Sequence, residues 1–158
     1  MEYKKIIITG SNGQDGSLMI DYLLKNTDHI LYAGIRNNNT NNLTHIKDNR
    51  FNTIDFNLNN SKNIYDTIER IKPDYFINFA AQSNVSSSWA TSKITFEANT
   101  LPIIDILEAI IKYCSTCRFY NAGSSEEFGN IIYNPQDEVH PLNPRSPYAA
   151  SKISSRQI

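Results

Sequence analysis

The chain has 158 residues, 40% hydrophobic and 20% charged, with a net charge of −1, a size and composition suited to one globular domain. No basic stripe is visible, which argues against nucleic acid and anionic membranes as main partners. No stretch approaches the roughly 20 apolar residues of a membrane span, and the apolar run in "MEYKKIIITG" is too short for a signal-peptide core, so a cytoplasmic protein is expected.

In chain order, "KKIIITG" is a β-branched strand that ends in glycine. From Gln14 to Lys25, Leu18, Met19, Tyr22 and Leu23 fall on one helical face. "ILYAGI" is a second strand, followed by a polar, Asn-rich loop, and "FNTIDF" is a third. Ser61 can cap a helix that stops before Pro73. "DYFINFAA" is a fourth strand. A long helical pattern covers about Thr95 to Tyr113, with Pro102 either kinking it or marking a start. "CRFYNAG" is a fifth strand, and Ser146 then caps a final helix with Pro147 at its first position. Strands alternating with helices imply an α/β, Rossmann-type, doubly wound parallel sheet flanked by helices. There is no internal repeat and no linker.

"ITGSNGQDG" places Gly10, Gly13 and Gly16 between the first strand and the first helix. A backbone that turns sharply there can approach a pyrophosphate, and the helix N-terminus favours its charge. An NAD site usually carries an acid after the second strand for the ribose 2′-hydroxyl. Here "GIRNNN" has none, and Arg36 is a cation suited to a 2′-phosphate, so NADP is the expected cofactor. The fourth strand runs through Ala80 and Ala81 into a loop of small residues, against which a cofactor can lie.

Tyr148 and Lys152 stand at i and i+4 and share a helix face. A phenol is a weak base at neutral pH, and an ammonium beside it favours the phenolate. The fifth strand ends in "NAGSSEEFG", and strand carboxyl ends are where open α/β sheets hold ligands. Ser124, Ser125 and Glu126 therefore belong at the reactive face, with Glu126 as candidate acid/base. Glu127 is expected to be a solvated charge. No metal site is expected, because His29, His45 and His140 are scattered and the Cys114/Cys117 pair reads as structural.

These pieces resemble the extended short-chain dehydrogenase/reductase family, and within it the sugar-nucleotide 4,6-dehydratases that act on GDP-mannose. The resemblance rests on "TGSNGQDGS", "NFAAQSNVSSSW", "YNAGSSEEFG" and "PRSPYAASK". It implies that Gln14 and Asp15, with the glycines, bind cofactor, and that Asn57 and Leu58 lie near the adenine, Asn57 standing where an Asp is common. It also implies that Tyr148 takes the sugar's 4-hydroxyl proton as hydride leaves C4 for NADP. Glu126 then removes the C5 proton and helps expel the C6 hydroxyl as water, and hydride returns to C6 to give GDP-4-keto-6-deoxymannose. Ser124 stands where Thr is usual and can bond the 4-oxygen. Lys152 also holds the nicotinamide ribose, and Ser83, Ser124, Ser125 and Glu126 meet GDP-mannose or a related nucleotide sugar. By the same resemblance, residues 1–158 are the NADP-binding part of a longer enzyme that forms homo-oligomers through helices 95–113 and 146–158. Other readings are a different nucleotide-sugar dehydratase or epimerase, or a non-catalytic dinucleotide-binding fragment.

Overall fold

Among the described residues, five parallel strands form one sheet in the order β3-β2-β1-β4-β5. The computed structural model describes residues 3–36 and 40–158. The strands are β1 Lys5–Thr9, β2 Ile30–Ile35, β3 Phe51–Asp55, β4 Tyr75–Asn78 and β5 Arg118–Asn121. The helices are α1 Gln14–Asn26, α2 Ser61–Ile71, α3 Ser92–Asn99, α4 Leu101–Tyr113 and α5 Pro147–Gln157. The expected Rossmann-type sheet is therefore present, with its order reversing between β1 and β4. Asn37–Asn39 of the Asn-rich loop lie outside the described residues.

The described residues divide into two compact units, one within Met1–Ala80 and Asp105–Ala122, the other within Ala81–Ile104 and Gly123–Ile158. The first unit holds the sheet. Alternate residues of its strands point to opposite faces, and apolar residues occupy both. Ile6, Ile8, Leu31, Ala33 and Ile35 form one cluster with Ile20 of α1. Ile7 and Phe76 are fully buried, as are Ile64 and Ile68 of α2. The Phe76 ring meets Phe56 and Phe119 at 5.8 Å between centroids. Apolar burial on both faces explains why the strands read as unbroken β-branched runs.

Two expectations about the helices need correction, the inward face of α1 and the cap of α2, and of the two alternatives at Pro102 the helix start is the one present. On α1, Leu18 and Tyr22 are exposed, while Gly16 and Ile20 are buried and Met19, Leu23 and Leu24 pack on the cluster. The inward face is thus one residue out of phase with the pattern taken from the sequence. The helical pattern at 95–113 is two helices, ending at Asn99 and restarting at Leu101. A continuous helix would press the Pro102 ring on the carbonyl of Ala98 and leave that carbonyl without its N–H. In the first turn of α4 no such N–H is required. The cap of α2 is Asn60, whose Oδ1 accepts the Asn63 N–H at 3.0 Å, whereas Ser61 Oγ donates to Asp105 Oδ2 at 2.7 Å. Asn60→Ala is therefore expected to cost about 1 kcal/mol of stability, and Ser61→Ala less. Denaturant midpoints of the two variants check this, and a larger loss for Ser61→Ala would return the cap to Ser61.

Candidate active site

In the first unit the chain leaves β1 through Gly10, in the left-handed region at φ +68. A Cβ there would lie 2.7 Å from the Ala80 nitrogen, so the loop runs against the end of β4. At Gly16 a Cβ would lie 2.3 Å from the Gly10 carbonyl oxygen. Gly13 is the N-cap of α1, with no side chain capping it. The first-turn N–H groups therefore have no side-chain acceptor from the cap, which suits an anion at that end. Gln14 and Asp15 are exposed on this turn, and Arg36 is exposed directly after β2. Asn57 is committed to its own turn, because its Oδ1 accepts the Asn59 N–H at 3.0 Å and its N–H donates to Asn63 Oδ1 at 2.9 Å. Leu58 beside it is half-buried. Across the carboxyl ends of the central strands, Thr9 donates to Asn78 Oδ1, and Asn78 Nδ2 donates to Asn121 Oδ1 at 2.8 Å. This polar ladder was not anticipated from the sequence.

The second unit carries the other candidates. Ser146 caps α5 as expected, its Oγ accepting the Ala149 N–H at 3.0 Å, with Pro147 next. Tyr148 and Lys152 are 8% and 5% exposed. The Tyr148 N–H donates to Ser88 Oγ at 3.2 Å, and Ser151 Oγ donates to the Tyr148 carbonyl at 2.7 Å. Asn99 joins the Gln82 loop to this helix. Its Oδ1 accepts the Gln82 N–H at 2.7 Å, and its Nδ2 donates to the Gln82 carbonyl at 3.1 Å and to Ser151 Oγ at 3.0 Å. The start of α5 is thus held by buried polar bonds, which fix direction as well as distance. Among the described residues, Gln82 Oε1 is a buried side-chain oxygen with no partner. Burial pushes the Lys152 ammonium's pKa down, and the Glu127 carboxylate partly opposes this.

After β5, residues Ser125–Glu127 make a 3-10 turn that packs on α5. Ser124 is half-buried, while Ser125 and Glu126 are exposed, as is Ser83 in the loop after β4. The Glu126 N–H donates to Ser124 Oγ at 3.2 Å. Glu127 corrects the sequence expectation: it is 2% exposed. Its Oε1 accepts the Ser124 N–H at 2.8 Å, completing a capping box, and its Oε2 lies 3.4 Å from Arg156 Nη1. The Ser-x-x-Glu spacing of Ser124 to Glu127 was the available signal. No comparable spacing points to Ser88, Asn99 or Ser151. Cys114 and Cys117 sit between α4 and β5, where burial pushes both thiols up, Cys117 to about 12. Such thiols are poor nucleophiles. Among the described residues no group of three or more His, Cys, Asp and Glu could hold a metal ion, and no helix is long and apolar enough to cross a membrane.

A glycine turn between β1 and α1 at the point where strand order reverses is the arrangement of a dinucleotide-binding Rossmann fold. Solved structures agree in fold. A dTDP-glucose 4,6-dehydratase from Streptomyces venezuelae, solved with NAD and TYD bound, superposes with a TM-score of 0.86 at 24% identity, covering 97% of this chain and 49% of that one. A UDP-Glc/GlcNAc 4-epimerase from Campylobacter jejuni gives 0.84 at 24%, covering 98% and 47%. Residues 7–158 match the model of the GDP-mannose 4,6 dehydratase family, and the chain belongs to that family. Curated relatives include a GDP-mannose 4,6 dehydratase of Drosophila melanogaster, 36% identical over 163 residues, and GDP-mannose 4,6 dehydratase 2 of Arabidopsis thaliana, 36% identical over 169. The alignments take in 95% and 98% of this chain, but the chain spans only 41% and 45% of those relatives.

Proposed function

We propose that residues 1–158 are the cofactor-binding portion of an NADP-dependent GDP-mannose 4,6-dehydratase and carry its proton-transfer groups. The observation that supports this most is Tyr148 with Lys152, buried on the first turns of a well-capped helix, in a chain that belongs to this family. The glycine turn suits a dinucleotide, because its backbone is packed too closely for a Cβ at Gly10 or Gly16 and no side chain occupies the helix cap. Gly10, Gly13, Gln14, Asp15, Gly16, Arg36, Asn57, Leu58, Ala80 and Ala81 would hold NADP, together with Tyr148 and Lys152. NADP, when bound, supplies a hydride acceptor and donor for the sugar.

The chain's own residues handle protons and position. Tyr148 as phenolate accepts the proton of the sugar's 4-hydroxyl, and the Lys152 ammonium lowers the cost of that phenolate. Ser124 bonds the 4-oxygen. Glu126 takes the C5 proton and returns it towards the departing C6 hydroxyl, a role that an exposed side chain on a short turn can reach. Ser83 and Ser125 contact the nucleotide sugar. Exposed Ile94, Leu101, Ile104 and Ile111 on α3 and α4 suit a helical contact with a second copy.

Titrating the purified chain with NADPH by fluorescence and assaying it with GDP-mannose, alone and within the longer enzyme, tests this reading. Absence of NADPH binding in both overturns it. The cofactor choice rests on Arg36. NADPH is expected to bind more tightly than NADH, and Arg36→Ala to remove roughly ten-fold of that preference, the loss of one charge-assisted contact. Equal affinity for both cofactors, unchanged by Arg36→Ala, rejects NADP.

A further inference from the structure

We propose that Glu127 is a positioning residue: its buried carboxylate ties the Ser124 turn to α5 and serves as the counter-charge of Lys152. This rests on the role given to Lys152 above. The site is built around the carboxylate. Oε1 accepts the Ser124 N–H at 2.8 Å, and Oε2 lies 3.4 Å from Arg156 Nη1. A Cβ at Gly123 would come within 3.2 Å of Oε1, so a small residue there leaves the carboxylate its place. The Glu127 carbonyl accepts the Asn143 N–H at 3.1 Å, fixing the turn from its other side.

Lys152 and Arg156 stand at i and i+4 on α5, so the face that meets Glu127 through Arg156 also carries Lys152. Glu127 is 2% and Lys152 5% exposed, whereas Arg156 keeps 45% of its side chain in solvent. Water therefore screens Arg156 more than Lys152, and the carboxylate's field also acts on the buried ammonium. The other acid of the turn packed on α5, Glu126, is exposed. Tyr148 shares its helix, and the 3-10 turn Ser87–Trp89 packed on it has no titratable group. Lys93 and Glu97 of the adjacent α3 pair with each other at 3.7 Å. Burial disfavours the Lys152 ammonium, and Glu127 is the charge that opposes that effect. A glutamine at 127 could keep the Ser124 bond but not the charge. One residue thus connects the position of Ser124 to the protonation of Lys152, which acts on Tyr148.

The test is the pH titration of Lys152 in the cofactor-free protein, read by NMR of lysine labelled at Cε, with Lys152→Met identifying the signal. In Glu127→Gln the midpoint is expected to move to lower pH, because the anion that favours the ammonium is gone. Glu127→Asp keeps the charge and is expected to restore most of the wild-type titration. In Arg156→Gln the carboxylate loses its competing cation, and the midpoint is expected to rise. If Glu127→Gln fails to fold, the Asp and Arg156→Gln variants carry the test. A Lys152 titration that moves in none of the folded variants, or that falls in Arg156→Gln, overturns the proposal. Cofactor binding is measured separately, so a protein that binds no NADPH but shows these shifts fails the functional reading alone.

Discussion

In the longer enzyme of which residues 1–158 are proposed to be the cofactor-binding portion, with Glu126 as the proposed acid/base, Glu126→Gln is expected to reduce GDP-mannose dehydration by roughly 10²–10⁴, the usual loss on removing a positioned acid/base. The amide keeps the side chain's size and leaves the Glu126 N–H bond to Ser124 Oγ intact, so the turn should hold. With Tyr148 as the proposed acceptor of the 4-hydroxyl proton, oxidation at C4 should continue in part, whereas removal of the C5 proton should not. Reduced cofactor should then accumulate in a single turnover, visible by stopped-flow absorbance. The neighbouring glutamate provides the contrast. Glu127 is buried and bonded within its own turn, so it is not available to meet substrate. Glu127→Gln should slow oxidation itself, through Lys152, and give no accumulation. Near-normal turnover in Glu126→Gln would move the acid/base role to another residue.

The two glutamates also mark what the sequence could disclose. Strands, helix order and the glycine turn were legible because they rest on local chemistry: β-branched runs, caps, and glycines where the backbone crowds itself. Ser146 and Pro147 announced α5 in the same way. Glu127 reads as a solvated charge because, in a chain that stayed extended past Asn121, it would turn away from Glu126, whereas a 3-10 turn at Ser125–Glu127 rotates it inward. The phase of α1 was misjudged because Leu18 and Tyr22 look like core residues, yet Gly16, which adds nothing to a hydrophobic pattern, lies on the face packed against the glycine loop. The bonds of Asn99 to Gln82 and Ser151 join residues 17 and 52 positions away, and local sequence carries no trace of them.

The glycines themselves should separate folding from ligand binding. At Gly16 an added methyl would sit 2.3 Å from the Gly10 carbonyl oxygen, with Ser11 Cα at 2.8 Å. Both obstacles are backbone, so no side chain can swing aside, and the loop or the helix must move. Overpacking of this kind costs about 1–3 kcal/mol or more, and Gly16→Ala is expected to lower the melting temperature by roughly 4–12 °C. At Gly13 the only close atom to an added methyl among the described residues would be the same oxygen, at 3.1 Å. The backbone there is ordinary extended chain for an N-cap, at φ −79 and ψ 174, so Gly13→Ala should melt within a few degrees of the wild type. Its methyl would nevertheless stand at the mouth of the helix, where the proposed cofactor's pyrophosphate would meet the backbone. NADPH affinity should therefore fall at least roughly ten-fold in Gly13→Ala, the scale of about 1.4 kcal/mol, with folding nearly intact. Thermal melts and NADPH titrations on the two variants decide it. Undiminished NADPH binding by a folded Gly13→Ala protein would mean that the phosphates do not lie on this turn.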